Sequence, residues 1–305
     1  MNDIFILIGP TASGKSNLAI KLVNKFPFEI INADLFSAYR DLSIGTAKPS
    51  KEELNRYKHH LINILEPTMQ YNVSQYCTDA KKCIRQILSS NKIPLITGGS
   101  MMYVYQLLNG LSHEYDVSDT DLKLIEYIQN SYTNEQIFKS ISNYNPDLTD
   151  KINFNDTYRL EKLIQRLISN KSNKKNFKGL YKEKNINIHI IFITINDRQY
   201  LKEAIKKRTK NMLRNGLIEE VNSLASKFNL NSLTQSMRAI GYRETLQYLN
   251  KEINLDELHS SITISTQQLA KRQITWMKKF KIDYKYSYPE NNYHSLFGYI
   301  KKILN

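Results

Sequence analysis

A chain of 305 residues has room for one large α/β domain carrying an insertion, or for two domains. With 41% hydrophobic and 10% aromatic residues it can bury a sizeable core, which excludes a disordered chain. Lysine and arginine number 43 against 29 acids, and the net charge of +14 points to a polyanionic partner, nucleic acid before membrane, because no amphipathic anchor or lipidation signal accompanies it.

In chain order, Ile4-Phe-Ile-Leu-Ile8 reads as a buried strand, too short for a helix and rich in branched residues. No signal peptide precedes it, and no apolar stretch approaches membrane-spanning length, so a soluble cytoplasmic protein is expected. Gly9, Pro10, Thr11, Ala12, Ser13, Gly14, Lys15 and Ser16 follow, and Asn17 to Asn24 repeats apolar residues at helical spacing. Strand, G-x-x-x-x-G-K-S and helix together make a P-loop. Backbone N–H groups and the positive helix N-terminus then face a phosphate, Lys15 reaches its outer oxygens, and the Ser16 hydroxyl is placed to hold Mg²⁺. This stretch is expected to bind a diphosphate or a nucleotide.

After Pro27, Glu29 to Ala33 reads as a second strand ending in Asp34. Residues just past the carboxyl ends of strands line the crevice of a doubly wound sheet, so the P-loop and Asp34 should face one cleft. There a carboxylate can hold Mg²⁺ or accept a proton; a strand-end turn aspartate is the competing reading. Tyr39 to Pro49 has no period and reads as a loop. His59 and His60 are adjacent, point apart and lack a third ligand, so they read as structural. Cys77 and Cys83 show no zinc spacing and read as reduced thiols. Ile93 to Thr97 is a third buried strand, and Gly98-Gly99 lets the backbone approach a ligand closely.

Beyond Tyr115 the character changes. Asp121 to Ser131 and Asn134 to Ser142 read as short amphipathic helices, and Asn155 to Ile168 as a longer one capped by Asn155 or Asp156. Leu160, Leu163, Ile164 and Leu167 share one face of it, while Arg159, Lys162 and Arg166 form a basic stripe suited to phosphates, or simply a solvated face. Lys171 to Lys184 reads as an exposed, lysine-rich loop. Ile188 to Thr194 restores the sheet, and a helix from near Gln199 carries Arg208. Lys271, Arg272 and Trp276 lie on a further basic helix, and the tail after Tyr284 carries little pattern. The expected fold is α/β, a P-loop NTPase-like doubly wound parallel sheet with a helical insertion domain: residues 1–114 and 182–305 form the core and 115–181 the insertion.

The ordered series of motifs is more particular than the P-loop alone. The P-loop, Asp34 and Tyr39 are followed by Ile44-Gly-Thr-Ala-Lys-Pro49, Tyr57-Lys-His-His-Leu-Ile62 and Ile93-Pro-Leu-Ile-Thr-Gly-Gly-Ser-Met-Met-Tyr103. Then come Asn155-Asp-x-x-Arg159, Arg208-x-x-x-Met212-x-x-x-Gly216, Met237-Arg-Ala-Ile-Gly-Tyr-Arg-Glu244 and Thr266-Gln-Gln-Leu-Ala-Lys-Arg-Gln-Ile-Thr-Trp276. From Gly9 to Trp276 this series resembles the tRNA dimethylallyltransferases, also called tRNA isopentenyltransferases. The chain departs from that pattern at Leu35, where the family usually has serine, at Ser100 for threonine, at Gln267 for arginine and at Lys162, where arginine is common.

The resemblance implies transfer of a dimethylallyl group from its diphosphate to the N6 amine of the adenosine 3′-adjacent to the anticodon in tRNA. The P-loop residues Gly9 to Ser16 then hold the diphosphate with Mg²⁺ on Ser16, Arg208 adds a second cationic clamp, and Asp34 orients and deprotonates the amine, with Ser100 completing the catalytic set. Family segments that contact tRNA map onto Phe36, Ser37, Ala38, Tyr39 and Lys48, onto Tyr158, Arg159, Leu160, Glu161 and Lys162, onto Arg238, Ala239, Ile240, Gly241, Tyr242 and Arg243, and onto Lys271, Arg272 and Trp276. The implied partners are the anticodon stem-loop of tRNA and dimethylallyl diphosphate, met by a monomer away from membranes. A P-loop kinase of a small metabolite explains the first hundred residues equally well but leaves the basic insertion and C-terminal motif idle. An RNA-binding protein gated by a nucleotide explains the charge but makes Asp34 incidental.

Overall fold

Ile4, Phe5, Ile6, Leu7 and Ile8 are all fully buried, so the strand that carries them, β1 (Asn2–Ile8), is covered on both faces, as strands of parallel sheets are. The structure is a computed structural model and describes residues 2–111, 118–150, 152–168, 177–288 and 293–305. The chain divides into two units, one of residues 1–109 with 179–305 and the other of residues 110–178.

The first unit is built on β1, β2 (Phe28–Asn32), β3 (His59–His60) and β4 (Ile93–Thr97). Past the second unit's short strands β5 (Gly110–Leu111) and β6 (Phe177–Lys178), the sheet resumes with β7 (Ile186–Ile195) and β8 (Tyr284–Tyr288). The order is β3-β2-β4-β1-β7-β8, and every neighbouring pair is parallel. The connections are α1 (Lys15–Lys25), α2 (Lys51–Arg56), α3 (Val73–Ser89) and α4 (Met101–Asn109). One face of the sheet, with Phe5, Leu7, Phe28, Ile30, Leu95, Ile191 and Ile193, packs against Leu18 and Leu22 of α1. Among the described residues this is the doubly wound α/β architecture of P-loop proteins.

Register decides where the functional groups emerge. β4 lies between β1 and β2, and its last residue Thr97 is opposite both Leu7 and Asn32. Gly9, Asp34 and the Gly98-Gly99 turn therefore leave the sheet side by side. The chain passes from β1 outward to β2, returns to β4 on one flank of β1 and continues as β7 on the other, so the switch point of the sheet is the carboxyl end of β1.

The second unit consists of α5 (Asp119–Ser131), α6 (Asn134–Tyr144) and α7 (Thr157–Ile168) around Ile125, Ile137, Ile141, Leu160, Leu163 and Ile164. Its ends are tied by antiparallel pairing, Gly110 opposite Lys178 and Leu111 opposite Phe177. Asp156 caps α7 by accepting the Arg159 N–H at 3.2 Å. Leu167 departs from the expected buried face, being 40% exposed.

Two other sequence expectations are corrected. The stretch read as an exposed loop to Lys184 contains β6 and a short turn of helix in which Leu180 is buried; residues 169–176 lie outside the described residues. The tail read as patternless supplies β8, paired to β7, and α12 (Tyr293–Leu304), whose Leu296 and Ile300 are fully buried in the sheet's core. Cys77 and Cys83 are buried, unpaired with each other. No helix among the described residues is long and apolar enough to cross a membrane.

Candidate active site

The loop between β1 and α1 is a cradle held open. Gly14 takes a left-handed conformation at φ 78° and no side chain caps the helix behind it, so the first-turn amides of α1 remain directed at the cleft. The Lys15 ammonium donates to the carbonyls of Gly9 at 2.8 Å and Pro10 at 2.7 Å. The Ser13 hydroxyl is buried and has no hydrogen-bond partner, an orphan of the kind a phosphate oxygen can satisfy.

These residues line a cleft of about 770 Å³ that Ser16, Asp34, Phe36, Ser37 and Thr97 to Gly99 also face. Arg208 enters from α8 (Arg198–Arg214). Burial, with the neighbouring Arg208 charge, pulls the Lys15 ammonium down to about 7, partly offset by Asp34. Burial likewise lowers Arg208, again against the pull of Asp34. Two desolvated cations beside one carboxylate make a site short of negative charge.

Asp34 stands on a braced turn. Its Oδ1 accepts the Phe36 N–H at 3.0 Å, and its own N–H donates to Asn32 Oδ1 at 3.1 Å. Asn32 Nδ2 donates to the Asp34 carbonyl at 2.8 Å and to the Leu61 carbonyl at 3.0 Å. Asn32, unremarked in the sequence, is thus a buried support for the aspartate. None of these bonds uses the side chain at position 35, so Leu35 leaves them in place. The Ser100 hydroxyl accepts the Leu35 N–H at 3.1 Å and Ser100 does not line the cleft, so in this structure it braces the Asp34 turn.

The segments expected to meet RNA divide by burial. Arg238, Ala239, Ile240, Arg243 and Arg272 line the cleft, and Lys271 is exposed on α11 (Leu255–Met277). Trp276 is half-buried, edge-on to Tyr105, with the Lys279 ammonium 4.1 Å above its ring. Lys48 lines the cleft too, but its ammonium donates to the Tyr39 carbonyl at 2.6 Å and Asn63 Oδ1 at 2.7 Å, and burial pushes it down to about 8. On α7, Arg159 and Lys162 are exposed and Glu161 half-buried, while Tyr158 contributes its backbone to the helix.

The side chains of Ala38, Tyr39, Leu160 and Tyr242 are buried, as is Gly241. Tyr39 donates its hydroxyl to Gln235 Oε1 at 2.8 Å. Tyr242, on α10 (Tyr242–Leu249), donates to Glu220 of α9 (Leu217–Phe228), which also accepts the N–H groups of Ser43 at 3.2 Å and Ile44 at 3.0 Å. Through Glu220, Tyr242 anchors the loop that carries Gly45.

His60 pairs with Glu29 at 2.8 Å, and His59 meets the Tyr57 carbonyl at 2.7 Å, so neither faces a metal partner. Among the described residues no group of three or more His, Cys, Asp or Glu is arranged to hold a metal ion. The cleft instead offers the Ser16 hydroxyl and the Asp34 carboxylate. Such sparse, hard oxygen donors fit an ion that keeps its waters and is held largely by substrate phosphates, as Mg²⁺ is.

A second supporting residue with no signal of its own in the sequence is Gln273. It sits in the C-terminal motif between residues chosen for their charge, is 4% exposed, and its amide accepts the Thr11 N–H at 2.7 Å and donates to the Gly99 carbonyl at 2.9 Å.

A P-loop at the switch point of a parallel sheet, with buried cations and a carboxylate across the cleft, defines a P-loop protein with a site suited to phosphate groups. The family described as IPP transferase matches residues 37–280, and the chain belongs to it. A tRNA dimethylallyltransferase of Legionella pneumophila (strain Corby) is 35% identical over 279 residues, 91% of this chain and 89% of the relative. One from Coxiella burnetii (strain Dugway 5J108-111) is 35% identical over 279 residues, 91% and 90% of the two chains. Among solved structures, a tRNA delta(2)-isopentenylpyrophosphate transferase from Staphylococcus epidermidis superposes with a TM-score of 0.71 at 28% identity, covering 100% of this chain and 99% of the other.

Proposed function

We propose that the protein transfers the dimethylallyl group of dimethylallyl diphosphate to the N6 amine of the adenosine 3′-adjacent to the anticodon in tRNA, in the cytoplasm and as a monomer. The observation that carries this reading is the cleft itself, where a phosphate cradle with two buried cations faces a carboxylate, in a chain of the IPP transferase family.

The amine nitrogen forms a bond to the allylic carbon as the carbon–oxygen bond breaks and its electron pair leaves on the diphosphate. Lys15, Arg208 and the α1 amides take up that charge, an electrostatic contribution from groups already aimed at the leaving group. Mg²⁺, held through Ser16 and the diphosphate, would supply further neutralisation of the leaving group. Asp34 orients the amine and accepts its proton; an adenine amine is a weak nucleophile, so alignment counts for more than basicity. The base must leave the anticodon stack, at a cost of a few kcal/mol. Arg238, Arg243, Lys271 and Arg272 in the first unit, and Arg159 and Lys162 in the second, supply backbone contacts that offset it.

The test incubates the protein with Mg²⁺, dimethylallyl diphosphate and unmodified tRNA, then digests the RNA to nucleosides for mass analysis. Adenosine carrying one added five-carbon unit is the expected product. ATP consumption with a small metabolite, and no adduct from folded protein that binds tRNA, would reject the reading.

The Lys15 shift gives this site a pH dependence. Between about 7 and its raised value beside a bound diphosphate, the complex holds a proton that the free protein lacks. Binding therefore takes up a proton, and affinity for dimethylallyl diphosphate should weaken as pH rises above about 7, by up to about tenfold per unit. Titration calorimetry in buffers of different protonation enthalpy measures the uptake directly. An identical slope in Lys15→Ala would assign the proton to another group.

A further inference from the structure

We infer that Gln273 is a positioning residue, a strut that fixes the phosphate cradle against the Asp34 turn; for its effect on turnover this rests on the transfer reaction proposed above. Thr11 is the third residue of the P-loop and Gly99 ends the turn that follows β4. Their chain neighbours are covalently remote from α11, yet one side chain joins them, accepting from the first at 2.7 Å and donating to the second at 2.9 Å. The partners dictate the residue type. A backbone N–H requires an acceptor and a carbonyl requires a donor, and a primary amide presents both from one planar group. Glutamate has no donor at neutral pH, lysine has no acceptor, and asparagine is one methylene shorter.

The strut also borders the reacting carboxylate. A Cβ built on Gly99 would lie 2.9 Å from Gln273 Nε2 and 3.1 Å from Asp34 Oδ2, so the two side chains flank the same bare stretch of backbone. Gln273 is 4% exposed and lines the same cleft as Asp34, which places the support beside the reactive group. Without the amide, Thr11 and Gly99 still line the cleft, where water can take over both hydrogen bonds. The fold survives that exchange, but the distance between cradle and carboxylate is no longer set by one rigid group. Catalysis by alignment is sensitive to such a change, about 10²-fold for a displacement near 1 Å.

Gln273→Leu, which keeps bulk and removes both bonds, tests this with two readouts on the full chain. Turnover number should fall about 30-fold, with KM for tRNA within about threefold, the pattern of lost transition-state alignment and not of lost RNA binding. The affinity for inorganic pyrophosphate, measured by calorimetry, should weaken about fivefold because the cradle has lost a tether. Thermal unfolding checks that the variant is folded, and Gln273→Glu, which restores only the acceptor to Thr11, should not recover turnover. A turnover number within threefold of the parent, or a defect confined to KM for tRNA, overturns the proposal. Should the parent protein itself transfer no five-carbon group, the functional reading fails separately, and pyrophosphate affinity alone decides: fivefold weakening upholds the strut and an unchanged value removes it.

Discussion

Asp34→Asn is expected to lower dimethylallyl transfer by about 10³-fold, within the 10²- to 10⁴-fold range that a positioned general base contributes. The substitution is nearly isosteric, and its consequences can be followed atom by atom. An amide oxygen can still accept the Phe36 N–H that Asp34 Oδ1 now holds at 3.0 Å, and the Asn32 bonds involve only backbone atoms of residue 34, so the turn should persist. What disappears is the ability to take a proton from the amine. Affinity for the diphosphate should hold or improve, because a negative charge leaves the cleft that receives the anion. Single-turnover measurement of adduct formation, with the binding of tRNA and of dimethylallyl diphosphate measured separately, isolates the chemical step. Turnover within tenfold of the parent would dismiss Asp34 as the base and leave it as one more brace.

The parts of this arrangement that could be read from sequence are those whose causes are local. The apolar runs of β1, β4 and β7 announce buried parallel strands, and the P-loop carries its own chemistry in eight consecutive residues. Asp34 was legible because a strand end places its neighbours at the crevice whatever else the chain does. β8 escaped because Tyr284-Lys-Tyr-Ser-Tyr288 alternates aromatic with polar residues, a period-two signal weakened by the hydroxyls on its apolar face. Tyr39 and Tyr242 lie in segments that the resemblance assigns to tRNA contact; their burial depends on Gln235 and Glu220, partners that no local pattern reveals. Gln273 is the extreme case, since its two partners lie 262 and 174 residues away. On its helix it reads only as a polar residue among cations, and the one clue was its place inside the C-terminal motif.

The adjacent glycines of the β4 turn should separate stability from catalysis. A Cβ on Gly98 would sit 2.1 Å from the Ala33 carbonyl carbon and 2.2 Å from its oxygen. Those are backbone atoms at the end of β2, whose register with β4 at Asn32 and Thr97 cannot yield without parting the two strands. Gly98→Ala is therefore expected to destabilise the protein by about 3 kcal/mol or more, the upper range for overpacking a rigid site, with a fall in thermal midpoint on the order of 10 °C. Beside it, a Cβ on Gly99 meets only Gln273 Nε2 and Asp34 Oδ2, the far ends of two side chains, which can shift where backbone cannot. Gly99→Ala should keep the parent's midpoint within about 2 °C, yet lose about 10²-fold in turnover, because the two groups that move are the carboxylate and its support. Thermal unfolding and transfer rates on both variants draw the contrast. Equal loss of stability in the two would mean that the Gly99 surroundings are as unyielding as those of Gly98. A fully active Gly99→Ala would mean that the position of Asp34 relative to the cradle does not limit the reaction, since the added methyl group takes up space beside Asp34 Oδ2.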